Sequence, residues 1–426
     1  QVIHSDRTLF EGVKRLEAAS IYRLDQSGFK KNQTYWHFEF TNEFKSRKKQ
    51  NVQDELADLL IDSVKRKLGG SDSCYLSLTA GHDSIGLLGI LTQKLKLKDI
   101  QCFSYKLPCS DTSEAVLAKE IADKVGLPHE IMSTYKENLL QAIRSNAQWG
   151  QGITNFCDEV LVWETWKERL GDECPLLFVG DESFCRSYCT TIEGLEHALI
   201  ANGIYKFKSL SWIKPFLHND MWNTMEGGIK NDLEIIKKRC PSSSDYRDVV
   251  DFLNFDLRVR NLLMPWRIQF SSGAFEVKQP LLDNQMLDFI KQVPSEWRMS
   301  RKLYKETLER MFPELFTFDR ATVFTHSISL PDEVAKNSIA LKEQFSGKLP
   351  NLDCFYSGRQ ASELIDQPII ENEDISRSLI QRINGKIRRI LKNEQIPVAE
   401  PKVKKAVFLT RYAIIRDYLM QLANKN

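Results

Sequence analysis

Two hydroxyls, a glycine and a carboxylate fall within TAGHDS, residues 79–84 of the stretch LSLTAGHDS. Thr79 and Ser84 offer hydroxyls, Gly81 permits close approach of a ligand to the backbone, and Asp83 supplies a carboxylate able to hold Mg²⁺ against phosphate oxygens. The stretch lies between the apolar CYLSL and IGLLGIL, so it reads as strand end, turn and helix start. That arrangement aims backbone N–H groups and the positive end of a helix at one point, where phosphate is the natural occupant. It is neither GxxxxGK(S/T) nor GxGxxG. A helix N-terminus capped by Thr79 or Asp83, with no ligand at all, reads equally well from these residues alone.

The elements around the loop follow from apolar spacing. In VQDELADLLIDSVKRKLGG, Leu56, Leu60, Val64 and Leu68 recur every four residues and Gly69-Gly70 closes the pattern, which predicts an amphipathic helix with a glycine stop. CYLSLTA, IQCFSY, HEIM and PLLFV are short apolar runs alternating with helical patterns such as SEAVLAKEIADKVG. This alternation predicts an α/β fold whose parallel sheet is flanked by helices. Residues 193–250, rich in Trp, Lys and Asn, read as a helical insertion with a surface loop at PSSSDY, and 271–320 reads as helical again. Residues 371–426 carry 12 Lys and Arg against 6 Asp and Glu on helical patterns, for which a solvated helix face is the default reading.

The composition excludes several classes. With 426 residues, 42% of them hydrophobic and 27% charged, and a net charge of +2, the chain is an ordinary globular protein long enough for two domains or one elaborated α/β unit. Nine cysteines without CxxC pairs fit reduced thiols in a cytoplasmic setting, and zinc is not expected. No apolar stretch approaches the ~20 residues of a membrane span, and QVIHSDRTLFEGVKRLE has no signal-peptide core. Residue 1 is Gln, which leaves open a start inside a longer gene product.

LSLTAGHDS resembles the SGGxDS pyrophosphate loop of the N-type ATP pyrophosphatases, in the LTGGxDS form of asparagine synthetase-like proteins and their β-lactam synthetase relatives. Other segments resemble the same family in the same order. SDRTLFEGVKRLEAASIYRLD is similar to the end of its glutaminase domain, and LFVGDESF to the Gly-Asp-Glu part of its acidic motif. GAFEVKQPLLD keeps the spacing E-x-(R/K)-x-P-x-L-D at Glu276, Lys278, Pro280, Leu282 and Asp283, and RKLYKETLERMFPELF is similar to the helix before its C-terminal loop. The similarity spans about residues 5–325. It implies a domain division into a glutaminase-like end (1–50), a synthetase-like ATP pyrophosphatase domain (51–330) and a helical C-terminal region (331–426).

The resemblance implies ATP and Mg²⁺ as cofactors. A substrate carboxylate, on a small molecule or peptide, would be adenylated with release of pyrophosphate, and an amine or ammonia would attack the acyl-adenylate to form an amide. Leu78, Thr79, Gly81, His82, Asp83, Ser84 and Gly180 would hold ATP, with Phe103 and Ser104 beside the adenine; core packing is the equal alternative for Phe103. Asp83 and Asp181 would hold the metal. Asp181 and Glu182 are candidates for the base, and Glu276 for a substrate contact or an ion pair with Lys278. Glu114 is either a helix cap or the family's acidic position.

Three departures stand out. The acidic motif is reduced to Gly180-Asp181-Glu182. Arg267 replaces an expected Asp, and Thr322 stands where the family's Lys would stabilise adenylation, with Arg320, Lys302 or Lys305 as substitute cations. The first cysteine is Cys74, at a strand start, so no glutaminase nucleophile is expected here and a separate amidotransferase is a possible partner. The alternatives are a degenerate nucleotide-binding relative or partner subunit, and a tRNA-modifying enzyme, against which the E-x-K-x-P match and the missing RNA-binding motif argue. Neither a nucleic acid nor a membrane is expected as partner.

Overall fold

An antiparallel hairpin, β1 (Ser20–Asp25) and β2 (Gly28–Thr34), precedes the first long helix, α1 (Lys49–Leu68). The computed structural model describes residues 8–106, 114–135, 137–154, 156–184, 214, 217–218, 220–241, 243, 245–317, 329–353, 357–366 and 405–423. α1 ends where the glycine stop predicts, with Gly69 at φ 62° and its N–H donating to the Lys65 carbonyl at 3.3 Å. Val52, Leu56, Leu60 and Val64 on its apolar stripe are fully buried.

The main sheet contains β3 (Ser73–Ser77), β4 (Asp99–Lys106), β5 (His129–Ser133), β6 (Leu176–Phe178) and β7 (Glu276–Lys278), all parallel, in the order β5-β4-β3-β6-β7. Period-two burial decides its two faces. Cys74, Leu76, Ile100, Cys102 and Phe178 face a layer built from α1, from α2 (His82–Gly89) and from Leu303, Tyr304, Leu308 and Phe312. Tyr75, Phe103, Tyr105 and Leu177 face the opposite layer, which holds Trp163 and Trp166 of α5 (Val160–Leu170) together with Phe270 and Phe275. Both faces are therefore covered, as a parallel sheet requires.

The chain leaves β3 through α2 to reach β4, passes through α3 (Glu114–Lys124) to β5, and then returns across the sheet to place β6 on the other side of β3. The connections thus diverge at the C-terminal end of β3. A crevice at such a switch point is the usual ligand position in open α/β sheets.

The described part of the inserted region contains helices α6 (Met221–Arg239) and α7 (Tyr246–Leu253), the latter continuing as π-helix to Leu263 and then as α8 (Met264–Ser271). One expectation is corrected after it. The span 271–320, read as helical, contains β7, because three residues are too few to carry a period and become a strand only by pairing with β6. Two longer helices follow, α9 (Asn284–Gln292) and α10 (Lys302–Met311), with a single turn at Ser295–Arg298 between them.

At the C-terminal end, α11 (Leu330–Lys336), α12 (Ser338–Ser346), α13 (Gly358–Asp366) and α14 (Lys405–Ala423) share a core with α4 (Leu139–Gly150). Leu139, Ile143 and Ala147 meet Val334, Leu341, Phe345 and Leu409 there. Among the described residues no helix is long and apolar enough to cross a membrane. Cys74, Cys102, Cys157, Cys174 and Cys240 are free thiols.

Candidate functional site

A cavity of about 470 Å³ opens at the C-terminal ends of β3, β4 and β6, lined by residues that include Thr79, Asp83, Ser84, Ser104, Gly180 and Asp181. Its volume lies within the range of small-molecule sites. Six of the expected site residues therefore meet at one crevice.

The loop between β3 and α2 is held by its own hydroxyls. The Thr79 N–H donates to Ser84 Oγ at 3.0 Å, the Gly81 N–H donates to Thr79 Oγ1 at 3.1 Å, and the Ser84 hydroxyl donates to the Thr79 carbonyl at 2.9 Å. Gly81 is the N-cap of α2, and no side chain caps it. Thr79 thus stiffens the turn instead of capping the helix. The end of β6 then closes on the loop, where a Cβ on Gly180 would stand 2.8 Å from Asp83 Cβ and 3.2 Å from the Ser84 nitrogen. Only a glycine lets the two segments approach so closely.

The carboxylates at this crossing are matched by guanidinium groups. Arg301 Nη1 donates to both Asp83 oxygens, at 2.9 and 3.0 Å, and reaches Glu182 Oε1 at 3.2 Å. Arg267 grips Asp181 bidentately, Nε to Oδ2 at 2.9 Å and Nη2 to Oδ1 at 3.1 Å, and Gln279 Nε2 adds a bond to Oδ2 at 2.9 Å. Burial lowers the proton affinity of both guanidinium groups, but the adjacent carboxylates more than restore it, so both stay charged. Ser300 and Arg301 sit at φ 55° and 60°, unusual for residues with side chains, and the turn they make aims Arg301 at the loop.

Magnesium does not fit Asp83 and Asp181 in this arrangement. Both oxygens of each carboxylate accept from guanidinium, and a shared ion would have to displace Arg301 and Arg267. Among the described residues no group of three or more His, Cys, Asp or Glu side chains could hold a metal.

The remaining expected residues are placed elsewhere. Leu78 is fully buried in the core, and Phe103 packs among Trp166, Tyr105 and Phe275, so neither lines the cavity. His82 turns toward Glu309, 3.0 Å from Nε2, and lies over Phe316. Glu182 is buried beneath the loop, where Oε2 accepts the Phe184 N–H at 2.5 Å. Glu276 is exposed at the opposite end of the sheet, paired with Lys278, and Asp283 caps α9 and pairs with Arg66 at 3.0 Å. The E-x-K-x-P-x-L-D string is thus largely structural here, Gln279 excepted. Arg320 and Thr322 lie outside the described residues.

Ser104 lines the cavity but is also tied down. Its hydroxyl donates to the Leu78 carbonyl at 2.6 Å, so it must accept from His129 Nε2 at 2.7 Å. His129 then carries a proton on Nε2, and because burial, with Lys119 adding, lowers its pKa to about 4, the ring is neutral near pH 7.

Ser77, Tyr105, Glu114, Thr134, Asp158 and Glu159 also line the cavity, and of these the sequence reading singled out only Glu114. Burial raises the pKa values of Glu114 and Asp158. Burial also pushes Glu159 up to about 8, against the pull of Arg267 and with help from Asp158 and Asp181. A signal for Asp158 and Glu159 did exist, since two adjacent acids before the apolar VLVW suggest a helix start; their facing the cavity could not be read from it.

Comparison with known families matches part of the chain. Residues 55–163 match the asparagine synthase family, an ATP-utilising synthetase family. The matched stretch runs from α1 through the loop to the start of α5, so it contains Thr79, Asp83, Thr134 and Glu159 and ends before Gly180 and Arg267. No curated protein matches this chain.

Proposed function

We propose that this asparagine synthase-type segment serves an ATP-dependent ligase that joins a carboxylate and an amine. The carboxylate oxygen is a poor leaving group until AMP is attached to it; pyrophosphate departs in that step, and the amine then displaces AMP. The observation that carries this reading is the hydroxyl-braced Thr79–Ser84 turn at the head of α2, set against Gly180 on the wall of a ligand-sized cavity. Arg267 lines the cavity and Arg301 holds the Asp83 carboxylate beside it, and no step is assigned to a metal.

A second reading, nucleotide binding without transfer, is favoured by one observation: Asp83 and Asp181 are both held by arginines. The two readings part in a pyrophosphate–ATP exchange assay across a panel of carboxylic acids, with calorimetry of ATP with and without Mg²⁺ alongside. The ligase reading expects exchange that depends on one class of acid and is lost in both Asp83→Ala and Asp83→Asn. ATP binding with no exchange for any acid supports the second reading, and no ATP binding at all removes both.

A further inference from the structure

The peptide unit joining Leu78 to Thr79, which follows β3 and opens the turn, is held on both sides. Its carbonyl accepts the Ser104 hydroxyl at 2.6 Å, and its N–H donates to Ser84 Oγ at 3.0 Å. Because a peptide unit is planar, fixing both of its polar groups fixes the direction in which the chain leaves the strand. Ser84 then closes the turn by donating to the Thr79 carbonyl at 2.9 Å.

Ser104 has one hydroxyl proton, and it goes to Leu78. What orients that hydroxyl is the donor aimed at its oxygen, His129 Nε2 at 2.7 Å, from the first residue of β5. Hydrogen bonds therefore run without a break from β5 through β4 to the head of α2. The ring holds this place at a cost, since Nδ1 is sealed from solvent and has no hydrogen-bond partner among the described residues. Buried polar atoms of native proteins rarely go unsatisfied. A ring placed to satisfy its own nitrogens would not leave Nδ1 bare, so the placement serves the bond that Nε2 makes.

We propose that His129 is a positioning residue for the phosphate turn: acting through Ser104, it fixes the Leu78–Thr79 peptide and with it the Thr79 and Ser84 groups that line the cavity. Calling the turn a phosphate site rests on the ligase reading; the coupling of His129 to the turn does not.

The test is calorimetry of the whole chain with ATP and with inorganic pyrophosphate. His129→Ala and Ser104→Ala are each expected to weaken binding about three- to tenfold, as for one lost hydrogen bond. In the double variant the losses do not add, because His129 acts only through Ser104, a coupling that a general loss of packing does not produce. His129→Gln, whose amide nitrogen reaches the place of Nε2, is expected to recover most of the affinity, and the shorter His129→Asn is not. Nitrogen NMR of the wild-type chain labelled at histidine supplies a second measurement should the variants fold poorly, with His129 expected to be protonated on Nε2 and bare on Nδ1 at neutral pH. Unchanged affinity in His129→Ala, additive losses, equal binding by the Gln and Asn variants, or a proton on Nδ1 overturns the proposal. If the wild-type chain binds neither ligand, the ligase reading falls and the coupling is read from hydrogen exchange of the Thr79 amide. Exchange there is expected to quicken in His129→Ala and to return in His129→Gln, and equal rates in all three chains would overturn the proposal.

Discussion

A buried carboxyl with a raised pKa costs stability whenever the solution forces it to ionise, and Glu159 is such a group. With its native pKa near 8, the folded chain keeps a proton that the unfolded chain releases above the ordinary glutamate range. Between those two values the native state binds more protons, so the Glu159 contribution falls as pH rises, and levels off above about 8. The groups acting on it are Arg267 from α8, Asp158 beside it and Asp181 at the end of β6. His129, neutral and buried, contributes in the opposite sense, its stability being lost as pH falls below the ordinary histidine value toward 4. Subtracting Glu159→Gln from wild type in urea unfolding at pH 5, 6, 7 and 8 isolates the glutamate. The variant should gain on wild type through this range, by a few kcal/mol at pH 8 as an order of magnitude. Parallel pH curves would refute the assignment.

Among the elements, the contact between the end of β6 and the start of α2 shapes the cavity, because it sets how far Asp181 lies from the turn that carries Asp83. Gly180→Ala places a methyl 2.8 Å from Asp83 Cβ and 3.2 Å from a backbone nitrogen that cannot swing aside. The expected cost is about 1–3 kcal/mol, read as a lower melting temperature together with weaker ATP binding. Gly227 in α6 is the control, since nothing lies within 4 Å of a Cβ there. Gly227→Ala should raise stability by about 0.5–1 kcal/mol by removing backbone freedom from an exposed helix. Equal effects of the two substitutions would show that the crossing is not tight.

Over the whole molecule, the sheet is enclosed by two apolar layers, while a third core joins α4 to the C-terminal helices. α4 follows β5 directly and carries Leu139, Ile143 and Ala147 into that third core. Leu409 of α14 is fully buried against them. Leu409→Ala should therefore destabilise the protein by about 2–4 kcal/mol, and hydrogen exchange should quicken in α4 as well as in α14. Unchanged protection in α4 would mean that the C-terminal helices stand apart energetically. The same packing explains why α14 is apolar on much of its surface: Phe408, Leu409, Tyr412, Ala413 and Ile414 are all buried.

What the sequence determined by itself was the parallel α/β plan and the position of the hydroxyl-bearing turn between β3 and α2. Local signals carry both: apolar runs of strand length, a period near four in α1, Gly69 at its end, and hydroxyls and glycine between strand and helix in LSLTAGHDS. It could not determine which carboxylates remain uncompensated. Asp83 and Asp181 look like metal ligands in the chain, but Arg301 and Arg267, distant in sequence, reach them in space. Glu276 looks like a substrate contact, but lies at the wrong end of its strand. Glu159 and Thr134 have no motif at all and become neighbours of one cavity only when β5, α5 and β6 are brought together. The reason is physical. Propensity and periodicity act over a few residues, whereas charge pairing and desolvation depend on every group within several ångströms, whatever its place in the chain.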